Sequence, residues 1–120
     1  MAQTLSVTIR RPPAEVYAWL AQPRNFQHWA SGLSNNLCED RHGSLSVRLS
    51  AANDYGVLDH WLGVTPDEEV YVPLRVLANG AGCDVLLTLF QQPGMSDEDF
   101  RHDVGWVVRD LAVLKTRLEA

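Results

Sequence analysis

The chain has 120 residues, 46% hydrophobic and 21% charged, with fifteen acids against ten bases for a net charge of −5. That size and composition fit one folded domain over residues 1–120 and exclude a disordered polyelectrolyte. Nothing basic clusters beyond Arg10-Arg11, so no nucleic-acid partner is expected.

The first element alternates. Leu5, Val7 and Ile9 face one way and Thr4, Ser6, Thr8 and Arg10 the other, the pattern of a half-buried strand. Pro12-Pro13 stops it and opens a short helix over Ala14 to Ala21, in which Val16, Trp19 and Leu20 share one face. A second short helix near Asn25 to Ala30 would set Phe26 and Trp29 on one side, and Ser31-Gly32 ends it. From Leu33 to Gly43 the pattern is weak, with at most one short strand. Leu45, Val47 and Leu49 then alternate with polar neighbours as a clear strand. Gly56 to Val64, Glu69 to Ala78 and Cys83 to Gln92 follow as strand candidates, joined by short turn-rich segments as in a hairpin meander.

Pro93-Gly94 breaks the last strand. Ser96 sits at a helix N-cap with Asp99 at the capping-box position, and Met95 and Phe100 form a hydrophobic staple. Acids at 97–99 and bases at 115 and 117 match the helix dipole. Phe100, Val104, Val107, Leu111, Leu114 and Leu118 recur as one apolar stripe along a helix from Asp97 to Glu119, about 34 Å long at 1.5 Å per residue. Such a helix needs a large apolar surface to lie on, and the sheet supplies it. Helices thus gather on one side of an antiparallel sheet, an α+β class.

The hairpin loops suggest a register. With Val64 opposite Glu69 and Ala78 opposite Cys83, the inner face carries Val57, Asp59, Trp61 and Gly63, then Val70, Val72, Leu74 and Val76, then Val85, Leu87 and Leu89. His60, Tyr71 and Arg75 fall on the outer face. Asp59 is then a carboxyl among aliphatic side chains, the best candidate for a general acid or base. The structural alternative has it hydrogen-bonding backbone or Trp29, or facing solvent because a bulge shifts the register. Asp59 and His60 are adjacent in a strand and point to opposite faces, so they form no acid-base dyad. His60, Tyr71 and Arg75 are instead candidates for a dimer contact or a solvated surface. Trp106, about 120° off the helix stripe, is a further interface candidate.

No Gly-rich phosphate loop, nucleophile elbow or HExxH occurs, and His28, His42 and His102 lack metal-ligand spacing, so no cofactor or metal is expected. Cys38 and Cys83 show no ligand spacing and read as reduced thiols of a cytoplasmic protein. The first residues lack the features of a signal peptide, and no apolar run approaches the ~20 residues of a membrane span.

The opening SVTIRRPPAEVYAWLAQPRNFQHWASGL is similar to the strand, proline break and two short helices ending in Trp of the START-like, or helix-grip, superfamily (SRPBCC, polyketide cyclase/dehydrase-like). NDYGVLDHWL and the stretch from VPLRVLANG to the end resemble one bacterial branch of it, so the likeness runs nearly end to end. The resemblance implies six or seven antiparallel strands gripping the last helix around a pocket for lipids, polyketides or similar ligands. It implies no shared catalytic set. The leading expectation is a binder of a hydrophobic small molecule, with Trp29, Asp59, Trp61, Val72, Leu87, Phe100, Val104 and Val107 lining the cavity. A cyclase or dehydratase using Asp59, and a homodimeric interaction module, are the alternatives.

Overall fold

The computed structural model describes residues 1–30, 46–65 and 68–120. Strand β1 (Ala2–Ile9) ends at Pro12-Pro13, which starts helix α1 (Pro13–Leu20). Its free first-turn donors, the Glu15 and Val16 amides, bond the Pro12 carbonyl at 3.1 Å each. The second short helix, expected near Asn25 to Ala30, is a 3-10 helix over Pro23–His28, and it sets Phe26 and Trp29 in contact. Asn25 Nδ2 donates to the Trp19 carbonyl at 2.9 Å, fixing this turn against the end of α1. Strands β2 (Ser46–Leu49), β3 (His60–Thr65), β4 (Glu68–Val72), β5 (Leu74–Asn79) and β6 (Gly82–Phe90) precede helix α2 (Asp97–Glu119). The weak stretch from Leu33 to Gly43 lies outside the described residues.

Rather than one sheet of six or seven strands, the described residues form two three-stranded antiparallel sheets, β1–β6–β5 and β2–β3–β4. Proline explains the division. Pro73 has no amide to donate, so the long strand expected over Glu69 to Ala78 breaks there into β4 and β5. The sheets stay joined, because the chain before β3 pairs with β5. The Leu58 amide donates to the Leu74 carbonyl and the Val76 amide to the Gly56 carbonyl, both at 2.9 Å. Gly56 is required for this approach: its φ is +72°, and an added Cβ would lie 2.1 Å from the Val76 carbonyl oxygen. Asn53 organises the preceding loop, accepting from the Tyr55 and Val57 amides and donating to the Val57 carbonyl at 2.8 Å.

Ser96 caps α2 as expected, its Oγ accepting from the Asp99 amide at 3.0 Å. The helix runs closest to β1. Lys115 Nζ donates to the Thr8 carbonyl at 2.6 Å, and Glu119 accepts from the Arg10 amide at 2.8 Å. Phe100, Val107, Leu111 and Leu114 then reach into one core with Ile9, Leu62, Val72, Leu74, Val85 and Leu87, so helix and both sheets bury their apolar faces together. No helix among the described residues is long and apolar enough to cross a membrane.

Candidate functional site

The second hairpin has the register expected, with Ala78 opposite Cys83 and Leu74 opposite Leu87. The first does not. Thr65 pairs with Glu68, but the next pair is Gly63 with Glu69, so one extra residue is accommodated as a bulge at Val64. Beyond it His60 lies opposite Val72 and Trp61 opposite Tyr71. A one-residue slip turns every side chain of a strand over. The inner face of this strand therefore carries Leu58, His60 and Leu62, all buried. Asp59 and Trp61, expected to line the interior, lie on the outer face.

Asp59 is nevertheless covered, at 7% exposure. Its carboxylate accepts from the Tyr71 hydroxyl at 2.7 Å and the Leu74 amide at 3.0 Å, and it pairs with Arg75. Burial alone would push its pKa up, but the hydrogen bonds from Tyr71, Arg75 and Leu74, with the Arg75 charge, outweigh it and hold the carboxyl below its usual range. This is the reverse of the raised pKa expected of an acid in an apolar cavity. The physical reason is the register: strand parity now places Arg75 and Asp59 on the same face. Asp59 is a structural clasp at the Pro73 bend. Tyr71 and Arg75 are on the outer face as expected, and His60 is not with them.

His60 is the polar group that the interior holds. It is 1% exposed, opposite Val72 on one side and Leu49 on the other. The Phe26 ring meets its imidazole edge-on at a centroid distance of 5.4 Å, and Trp29 packs against Phe26 at 5.7 Å. Desolvation in this setting lowers its pKa to about 4, against a hydrogen bond to the Leu58 backbone and the nearby Asp59 charge, which both raise it. The imidazole is neutral at physiological pH. Nε2 is buried and has no hydrogen-bond partner among the described residues.

No protein-family model matches the chain, and no curated protein matches it in sequence. Solved structures do. DynU16, a protein of the dynemicin biosynthetic locus, aligns with a TM-score of 0.67 and 15% identity over 99% of this chain and 47% of its own. An AHSA1-like protein from Rhizobium etli aligns at 0.64 and 20% identity, over 100% of this chain and 82% of that one. The Aha1 dimer from Colwellia psychrerythraea gives 0.56 and 13% identity, over 99% and 96%. The chain has the START-like helix-grip fold. At these identities the likeness is one of fold.

Within that helix-grip frame, Trp29, Val72, Leu87, Phe100 and Val107 are buried in the common core, and Val104 is packed against it. The structure thus brings together these six of the residues expected to line the interior. Trp61 instead stacks on Tyr71 outside, with the Arg48 guanidinium 4.3 Å over its ring. Trp106 lies on the outward side of α2, donating to His102 Nε2 at 3.0 Å beneath Arg109. Asp110 is a buried polar residue of α2 that is absent from the candidate site residues of the sequence. Its signal was present, since it lies three residues after Val107 and four before Leu114 and so falls within the apolar stripe. The described residues contain no cluster of His, Cys, Asp and Glu able to hold a metal. Cys83 is a buried free thiol.

Among the grooves that the described residues form on the outside of the molecule are these two. One, of 760 Å³, is lined by Trp19, Val113 and Arg117, among others. The other, of 650 Å³, lies between Pro13, Tyr17, Tyr55 and Leu77. Neither is formed by the expected interior residues.

Proposed function

We propose that the protein binds an apolar small molecule in the interior between the inner sheet face and α2, on the side covered by Phe26 and Trp29. The observation that carries this is the make-up of the inner wall beside β3. Leu58 and Leu62 share the buried face of His60, Val72 lies opposite it, Phe26 meets its imidazole edge-on with Trp29 packed behind, and the buried Nε2 bonds nothing among the described residues. A core built for packing alone gains nothing from such a group. Phe26 and Trp29 belong to a 3-10 turn and its end, which hold them by few backbone bonds, so this edge opens at lower cost than the sheets. The helix-grip fold supports the same reading, because it sets one long helix against a sheet with only side chains between. Nile red added to the native protein should shift its emission to the blue and quench Trp29, and Trp29→Phe should remove that quenching. A native state that takes up no such probe would defeat the proposal.

An enzyme of the cyclase or dehydratase type is not supported at Asp59, whose proton is held off by Arg75 and Tyr71. A homodimer contact has one observation in its favour. Trp61, Tyr71 and Phe90 stack along the outer face at 5.3 and 6.2 Å, with Tyr71 and Phe90 exposed. Sedimentation velocity of the protein and of Tyr71→Ser tests it: a dimer that the substitution dissociates is the expected result.

A further inference from the structure

A strand edge is left open at the end of β5. Backbone groups of a strand point alternately to its two edges. The Pro73 carbonyl accepts from the Thr88 amide of β6, whereas the Leu74 carbonyl and the Val76 amide bond Leu58 and Gly56 on the opposite edge. Ala78, exposed and opposite Cys83, continues the second set, so its N–H and C=O face away from β6. Nothing among the described residues pairs with them. The covering chain has turned off at Gly56, where φ is +72°, and the Tyr55 and Val57 amides are held by Asn53 instead. This free donor and acceptor lie in the 650 Å³ outer groove, between Tyr17 of α1 and the exposed side chains of Tyr55 and Leu77. The Tyr17 hydroxyl accepts from the Asn53 amide at 3.2 Å and donates to none of the described residues. Asp54 is the only charged residue among those lining the groove.

We infer that this groove is a docking site for an extended peptide, which adds a strand to β5 through Ala78 and carries a lysine or arginine toward Asp54. The occupant is read from the chemistry of the open groups. A strand N–H and C=O on one residue are met together by the C=O and N–H of another polypeptide backbone, as in recognition by strand addition. A hydrocarbon ligand would cover them unpaired, at a cost for each. The Tyr17 and Tyr55 rings and Leu77 supply the apolar contact that a single extended chain needs beside those two bonds. A second copy of this chain suits the edge badly. Pairing edge to edge would bring two Asp54 carboxylates into one joint groove, between molecules of net charge −5 each. The site opens to the outside and is separate from the interior proposed for a small molecule.

The probe is acetyl-Lys-Val-Val-Val-Lys-amide, titrated into the nitrogen-15-labelled full chain, and the control is its analogue N-methylated at every valine. The analogue keeps the side chains and loses the N–H groups that strand addition needs. The Ala78 amide resonance should move downfield with the parent peptide, together with those of Tyr55 and Leu77, and the analogue should bind about tenfold more weakly or worse. Acetyl-Glu-Val-Val-Val-Glu-amide should bind about threefold more weakly than the lysine peptide, and Asp54→Asn should narrow that difference. Ala78→Pro removes the outward N–H and no bond to β6, so it should weaken the lysine peptide about tenfold in a chain that still folds. If that variant does not fold, the N-methylated analogue decides the same bonding from the peptide's side. Equal affinity for parent and analogue, or an unmoved Ala78 amide at millimolar peptide, would overturn the inference. So would an Ala78 shift that follows protein concentration without peptide, the mark of a second copy on this edge.

Discussion

Acid should destabilise the protein through His60, and the size of the effect follows from its burial. The unfolded chain exposes the imidazole, which there titrates near its ordinary value of 6.5, while in the fold its pKa is about 4. Between these values the unfolded state binds a proton that the folded state refuses. Stability from this group is therefore complete above about pH 6.5 and is lost as pH falls toward the folded value. From pH 7 to pH 5 the loss comes to about 2 kcal/mol, a large share of the ~5–15 kcal/mol typical of a domain. His60→Asn keeps a donor for the Leu58 carbonyl and removes the titration. Urea denaturation of both proteins at pH 7, 6 and 5 gives the difference directly, and histidines common to both cancel. The native protein should lose its advantage over His60→Asn by about 2 kcal/mol across that range. A difference that stays constant with pH, or that grows on acidification, would refute the buried neutral imidazole.

The remaining predictions concern the frame around the site. Leu111→Ala, in the centre of the buried stripe of α2, should cost about 2–5 kcal/mol in urea unfolding, and a smaller loss would mean that the helix lies loosely on its sheets. Asp59→Asn should weaken the bonds to Tyr71, Leu74 and Arg75 and lower stability by about 1–3 kcal/mol, while Nile red affinity stays within twofold. A selective loss of probe binding there would return Asp59 to the ligand site. Gly56→Ala combines a strained positive φ with a clash against the Val76 carbonyl, and should cost at least about 2 kcal/mol by thermal or urea unfolding.

Much of this architecture was legible because local signals agreed with one another. The Ser96 cap, the Met95–Phe100 staple and the acidic first turn specified α2 from Asp97 to Glu119, and the β5–β6 turn Asn79–Gly82 gave the register of its hairpin. The failure is equally local. Leu58-x-His60-x-Leu62 and Val57-x-Asp59-x-Trp61 are alternations of similar quality, so hydrophobic period could not choose between them, and the loop was left to decide. One extra residue at the Val64 bulge then reversed the choice. That reversal moved the expected acid out of the interior and put a histidine in its place. Pro73 was visible in the sequence as a missing donor, and its effect, the division of one long strand into β4 and β5, follows from that alone. The pairing of Asp59 with Arg75 was hidden for the same reason as His60, since both depend on strand parity.

The central claim is that an apolar ligand enters the interior beside His60. Methyl-labelled NMR during titration with 1-methylnaphthalene tests it most directly, because the Leu and Val residues of this chain sample both faces. Shifts are expected at Leu58, Leu62, Val72, Leu87 and Val107, with Leu77 and Val113 unmoved. Shifts confined to Val113 and Leu77, at the two outer grooves, or none at saturating probe, would contradict it.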